Sequence, residues 1–145
     1  MNKIELLNNY VADLAVWNVK LHNLHWNVVG SQFMSSHKFT EALYEEVFEQ
    51  YDSVAEQIKM LGETPVASVK EYLALSRIEE IPAVPVSTEK LLDIVKKDLE
   101  DMSERASEIR KIADEEGDFT TVALFEGLVS SYRKNIWFLS ATQDK

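Results

Sequence analysis

The sequence predicts an all-α fold, a four-helix bundle with a short extra helix in one long crossover. Three observations carry that prediction. Only four Gly and three Pro punctuate 145 residues, apolar residues recur at helical spacing through four long segments, and the breakers gather at three places. Gly30 and Ser31 interrupt the first segment, the stretch from Gly62 to Pro85 holds Pro65, Pro82 and Pro85, and Gly117 divides the last third.

The first long helix is expected over about residues 4–29, where Leu6, Leu7, Tyr10, Val11, Leu14, Trp17, Leu21 and Leu24 mark one face. The second runs from about Phe33 to Leu61 and stops at Gly62, a usual helix terminator. In the third, Leu91, Val95, Leu99, Met102, Ala106, Ile109 and Ala113 form a near-heptad seam. The fourth spans about Asp118 to Ala141, with Val122, Phe125, Val129, Tyr132, Ile136 and Leu139 expected inward. Short turns make the first and second helices, and the third and fourth, antiparallel neighbours. The connection from Gly62 to Ser87 is long enough to cross the bundle, so the second and third helices lie parallel. Within it SVKEYLAL, Ser68 to Leu75, reads as a short helix that must bury Tyr72, Leu73 or Leu75 against something, a second subunit included. A chain of this length is expected to form one domain over 1–145, burying roughly 70% of its unfolded surface.

Composition narrows the chemistry. The absence of cysteine removes disulfides, thiolate zinc sites, iron–sulfur clusters and cysteine nucleophiles, leaving His, Asp and Glu as strong metal ligands. A net charge of −10 repels phosphate backbones and favours cations as partners. The opening MNKIELLNNY has no apolar leader core, and no stretch approaches the roughly 18 apolar residues of a membrane span. The expectation is a soluble, cytoplasmic protein with no membrane partner.

All three histidines, His22, His25 and His37, fall in the first 37 residues. On the second helix His37 and Glu41, and then Asp52 and Glu56, stand at i, i+4. At 100° per residue the four lie at about 0°, 40°, 60° and 100°, one narrow polar stripe. They cannot share an ion within one chain, because at 1.5 Å per residue Glu41 and Asp52 are about 16 Å apart and His37 and Glu56 about 28 Å, whereas iron or zinc needs its ligand atoms at about 2 Å. A two-fold axis removes the difficulty. His37 with Glu56, and Glu41 with Asp52, are equidistant from the point between Glu46 and Val47, so an antiparallel copy of the helix brings one half-set to the other twice per dimer. His25, just before the turn, swings over the same end as His37. The candidate ligands, and catalytic residues, are therefore His25, His37 and Glu41 of one subunit facing Asp52 and Glu56 of the other. Such a mixed N/O set suits one or two Fe(II) ions and would accept Zn, Co or Mn; iron is preferred because carboxylates stabilise the ferric product. The intrachain di-iron motif Glu-x-x-His is absent, since Val19, His22 and Met34 stand three residues before each His.

The stretch from Leu21 to Pro65 resembles the signature of the Dps mini-ferritins: H-x-x-H-W-N, a His twelve residues after the second one, then D-x-x-A-E. The helix layout fits that family over nearly the whole chain. The resemblance implies a ferritin-like four-helix bundle, a dodecameric hollow shell built from two-fold dimers, and oxidation of Fe(II), commonly with hydrogen peroxide, followed by storage of the ferric mineral. It places di-iron ferroxidase ligands at His25, His37, Glu41, Asp52 and Glu56. Relatives often carry Asp at the third of these, so Glu41 adds a methylene and bears on occupancy of the second metal position. In that layout Trp26 and Trp137 are candidates to intercept stray oxidising equivalents. Asp114, Glu115, Glu116 and Asp118 resemble the family's acidic iron-entry pore, although Phe119 and Ala123 stand where relatives carry further carboxylates.

Many Dps proteins bind DNA through a Lys-rich N-terminal extension or a basic tail. Here Lys3 is the one lysine in the first nineteen residues and the chain ends ATQDK. DNA binding is expected to be absent at physiological salt, leaving a nucleoid-protecting role as the alternative to a ferroxidase and iron store, with a helical shell bearing a vestigial site as a third reading. His22 reads as a support or surface histidine. Glu45, Glu46 and Glu49 read as a solvated face, with mineral nucleation as the functional alternative.

Overall fold

The computed structural model describes residues 1–144. Its elements follow in the order α1 (Lys3–Asn27), β1 (Val28–Val29), α2 (Phe33–Met60), α3 (Val69–Leu75), β2 (Val86–Ser87), α4 (Thr88–Glu115) and α5 (Phe119–Gln143). The four long helices and the short one in the crossover are those the sequence predicts. None of them is long and apolar enough to cross a membrane.

Directions follow from a few contacts. β1, at the end of α1, pairs in parallel with β2, at the start of α4, matching Val28 with Val86 and Val29 with Ser87. The crossover thus returns the chain to the end of the bundle where α2 begins, and Ser36 Oγ meets Thr88 Oγ1 there at 3.5 Å. α4 therefore runs parallel to α2, as expected. At the opposite end the Gln57 amide donates to Thr120 and Thr121 at the start of α5. The first helix ends two residues earlier than the spacing predicts, at Asn27, because Val28 and Val29 turn extended to make this bridge. A two-residue strand is too short to show alternation in a sequence.

Four helices are capped by side chains chosen for that position: Asn2, Ser68, Ser87 and Asp118 each accept a backbone N–H three residues on. Gly62 at φ 85° and Gly117 at φ 72° take the left-handed conformation that ends α2 and α4, which a side chain would oppose.

The cap of α5 also closes the bundle. Lys3 Nζ reaches Asp118 and Glu116, both at 2.8 Å, tying the start of α1 to the α4–α5 turn. Burial works against ionisation of Asp118, but hydrogen bonds from Lys3 and Thr121 outweigh it and hold its carboxyl below the ordinary value. A depressed carboxyl contributes stability above its unfolded pKa and loses it as the pH falls through the folded one. Asp118→Ala should therefore cost about 1 kcal/mol at neutral pH, with wild type and variant converging in acid below the range of free carboxylates, a difference read by urea unfolding at several pH values.

The predicted faces of α1 and α4 are buried throughout. On α5 the stripe is partly different. Phe125, Tyr132 and Leu139 are buried as expected, but Thr121, Leu128 and Asn135 share the inner face, while Val122, Val129 and Ile136 lie at its edge. α5 is apolar on both sides, so its periodicity is weak. The tie that matters most for the crossover lies between α1 and the segment after α3. Asp13, completely buried, accepts bonds from the Arg77 backbone N–H (2.6 Å), Nε (3.2 Å) and Nη2 (2.7 Å), with Arg105 Nη1 at 3.5 Å. Beside it Lys20 and Asp98 form a second buried pair at 2.7 Å linking α1 to α4.

Candidate metal centre

The turn between α1 and α2 brings His25 and His37 into face-to-face contact, with ring centroids 3.6 Å apart and planes 15° from parallel. Each is anchored by the other's backbone. The His25 Nδ1–H donates to the His37 carbonyl at 2.7 Å, and the His37 Nδ1–H donates to the His25 carbonyl at 2.8 Å. A carbonyl only accepts, so both rings must carry their proton on Nδ1, which leaves both Nε2 lone pairs available to a metal. Thr40, buried beneath them, lies 3.2 Å from His25 Nδ1 and spends its own hydroxyl hydrogen on the Ser36 or His37 carbonyl. Phe33 stacks on His37 at 5.0 Å and Tyr44 stands edge-on to His25 at 5.2 Å. His25 is 5% exposed, and burial foremost, with the His37 ring beside it, lowers its pKa against the opposing pull of the His37 carbonyl and Glu41. A neutral imidazole is the form that ligates.

Glu41 is exposed on α2 one turn beyond His37, close enough for its charge to act on His25. At the other end of the stripe Asp52 and Glu56 stand together, both exposed on the single chain. A hydrogen bond to Asp52, then its charge, and lastly burial raise the Glu56 carboxyl above its ordinary value. Among the described residues no Lys or Arg forms an ion pair with Glu41, Asp52 or Glu56. The two crowded carboxylates stand there without a counter-charge. The donor set fits a divalent metal: two imidazole Nε2 atoms left free of the backbone hydrogen bonds at one end of α2, carboxylates at both.

Within the single chain the candidate ligands fall into two groups that stay apart. His25, His37 and Glu41 gather at one end of the stripe, Asp52 and Glu56 at the other, and about 16 Å of helix separates Glu41 from Asp52. No three His, Asp or Glu side chains among the described residues converge on a point that would hold an ion.

His22 stands outside this pair. Its Nδ1–H donates to the Asn18 carbonyl at 2.7 Å, and its ring stacks on Tyr44 at 3.8 Å with Trp26 at 5.6 Å. Trp26 and Trp137 are both exposed on the single chain. The reciprocal His25–His37 anchor and the support from Thr40 have no signature in the sequence, because the acceptors are main-chain carbonyls placed by the turn. The acidic cluster read as a pore is largely engaged within the chain: Lys3 holds Glu116 and Asp118, and Arg110 lies 3.6 Å from Asp114. Among the described residues Glu115 alone of the four makes no ion pair.

A parallel pair of long helices joined by a full-length crossover, with His37 and three carboxylates on one face of α2 and His25 of α1 stacked at its end, defines a ferritin-like protein, and residues 4–145 match the ferritin-like domain family. The chain belongs to that family, and within it to the Dps mini-ferritins. It is 40% identical over 143 residues to DNA protection during starvation protein 2 of Bacillus anthracis, covering 97% of each chain. It is 39% identical over 138 residues to antigen TpF1 of Treponema pallidum, covering 95% of this chain and 78% of that one. The crystal structure of TpF1 superimposes with a TM-score of 0.96 at 38% identity, covering 99% of this chain and 92% of that one, and a crystal structure of Dps from Listeria monocytogenes does so with 0.94 at 32%, covering 98% and 93%.

Proposed function

We propose that this protein is a ferroxidase and iron store, which oxidises Fe(II) with hydrogen peroxide at sites shared between two-fold related subunits and holds the ferric product inside a dodecameric shell in the cytoplasm. The observation that carries this reading is the division of the donor set. Two metal-ready imidazoles and Glu41 occupy one end of the α2 stripe, two uncompensated carboxylates the other, and the two groups are equidistant from the point between Glu46 and Val47. An axis through that point makes every dimer the owner of two complete sites.

Iron is here the substrate and cargo. His25 and His37 offer Nε2, while Glu41 and the partner's Asp52 and Glu56 offer oxygens that stabilise the ferric charge. Five side chains would leave positions for water on two ions, and the extra methylene of Glu41 bears on occupancy of the second. Two Fe(II) ions each give one electron to one peroxide molecule, which takes up two protons and leaves as two molecules of water. Pairing the electrons in one site avoids release of hydroxyl radical.

Adding Fe(II) anaerobically and then peroxide should produce ferric absorbance rapidly. His37→Ala and Asp52→Ala should each slow that phase by more than the roughly 10–100-fold that loss of a merely supporting group costs. Unchanged fast oxidation in both variants would overturn the assignment. The charge of −10 per chain argues against a DNA-binding role, and purified iron-free protein should give no mobility shift with duplex DNA at physiological salt.

A further inference from the structure

One contact beside the Asp52 half-site has no part in ligation. Tyr51, the residue before Asp52, meets Tyr72 of α3 hydroxyl to hydroxyl, with ring centroids 5.9 Å apart and planes at 80°. Among the described residues this is the one hydrogen bond between α3 and α2. Both rings are half-buried. α3 is held in place from either side, by the Val66 N–H on Asn8 Oδ1 at 2.8 Å and by Arg77 on Asp13, so the two phenols stay together without depending on their own bond.

We propose that Tyr51 and Tyr72 are an oxidative cross-linking pair, which couples ring to ring into dityrosine when one-electron oxidant is generated at the neighbouring site, stitching the crossover helix to α2. The inference rests on the ferroxidase reading for its source of oxidant. When peroxide exceeds Fe(II) and a single ferrous ion reacts alone, peroxide splits to hydroxide and hydroxyl radical. Two such events supply two hydroxyl radicals; each takes one hydrogen atom from one phenol and becomes water, and the two phenoxyl rings join through the carbons flanking their oxygens. Each joined carbon then gives up its hydrogen to restore the phenol oxygen, so the product is lighter by two hydrogen atoms. A hydroxyl-to-hydroxyl contact turns the oxygen-bearing ends of the two rings, with those flanking carbons, toward each other.

A second tyrosine pair sets the contrast. Tyr10 and Tyr132 also touch through their hydroxyls, at 2.7 Å, but both are fully buried in the core with the Met102 carbonyl and the Gln50 amide oxygen as their other partners. Full burial keeps a radical formed in solvent or at the surface away from both hydroxyls, whereas Tyr51 and Tyr72 are half-buried, so the core pair is expected to stay uncoupled.

The test treats the whole protein with peroxide in excess over Fe(II), and in parallel with Fe(II) in excess. Ferric absorbance and dityrosine fluorescence are recorded on the same samples, and digested peptides are mapped. A joined peptide containing residues 51 and 72, within one chain and favoured by excess peroxide, is expected; Tyr51→Phe and Tyr72→Phe should each reduce it to background, while Tyr132→Phe should not. Ferric product without the 51–72 link, or a link that survives Tyr51→Phe, overturns the inference and leaves the ferroxidase reading standing. If no ferric product forms, that reading fails by itself, and photo-oxidation with a ruthenium tris-bipyridyl complex and persulfate decides the pair: a 51–72 link supports it and its absence overturns it.

Discussion

Coexpressing His37→Ala subunits with Asp52→Ala subunits should restore iron oxidation that neither variant supports alone. In a mixed dimer one shared site collects both substitutions and the other collects none. With random pairing half the dimers are mixed, so about a quarter of all sites are intact, and the initial rate should recover to about that fraction of wild type. The stripe on α2 compels this result if the reading is right, because His37 and Asp52 are too far apart along one helix to touch the same ion. A mixture no faster than its two parents would show that each chain carries its site alone. The same experiment with His37→Ala and His25→Ala should give no recovery, since both histidines belong to one half-set and every site then lacks one of them.

Asp13→Ala should be among the most destabilising single changes in the protein. Its carboxylate is completely buried and meets Arg77 through three N–H groups, with Arg105 behind. Removing it leaves the Arg77 backbone N–H and two partly exposed guanidinium groups without their buried acceptor, a loss of about 3 kcal/mol, the low end for a broken buried pair because water reaches both arginines. For a domain of this size that is a fall in Tm of roughly 10 °C, to be compared at equal protein concentration because assembly adds its own stability. Asp13→Asn keeps the shape and part of the hydrogen bonding and should fall between the two. A loss under about 1 kcal/mol for Asp13→Ala would place the triad with ordinary surface ion pairs. The loosened segment is the one following α3, so protease cleavage between Pro65 and Pro82 should accelerate in the same variant.

Much of this was legible in order of residues. The four long helices, the glycine that ends the second and the seam of α4 follow from local propensity and a 3.6-residue period, which act over a few neighbours. The candidate site was legible for a related reason. A helix is a rigid ruler, so the separation of His37, Glu41, Asp52 and Glu56 along it, and their common face, are already determined by their numbers. Other features were not. Val129 and Leu128 compete for the inner face of α5, and only packing against the other helices placed Leu128 there. Asp118 read as one of an acidic group, whereas Lys3, 115 residues away, meets it in the folded chain.

The linear order of residues by itself thus determined the helices and the polar stripe, because both depend on the geometry of one continuous helix. Tertiary structure alone decided that His25 and His37 exchange backbone hydrogen bonds, that Asp13 fastens the crossover, and that Tyr51 and Tyr72 meet. Those contacts join elements whose approach is governed by the burial of the whole core, a sum over the chain that no local stretch encodes.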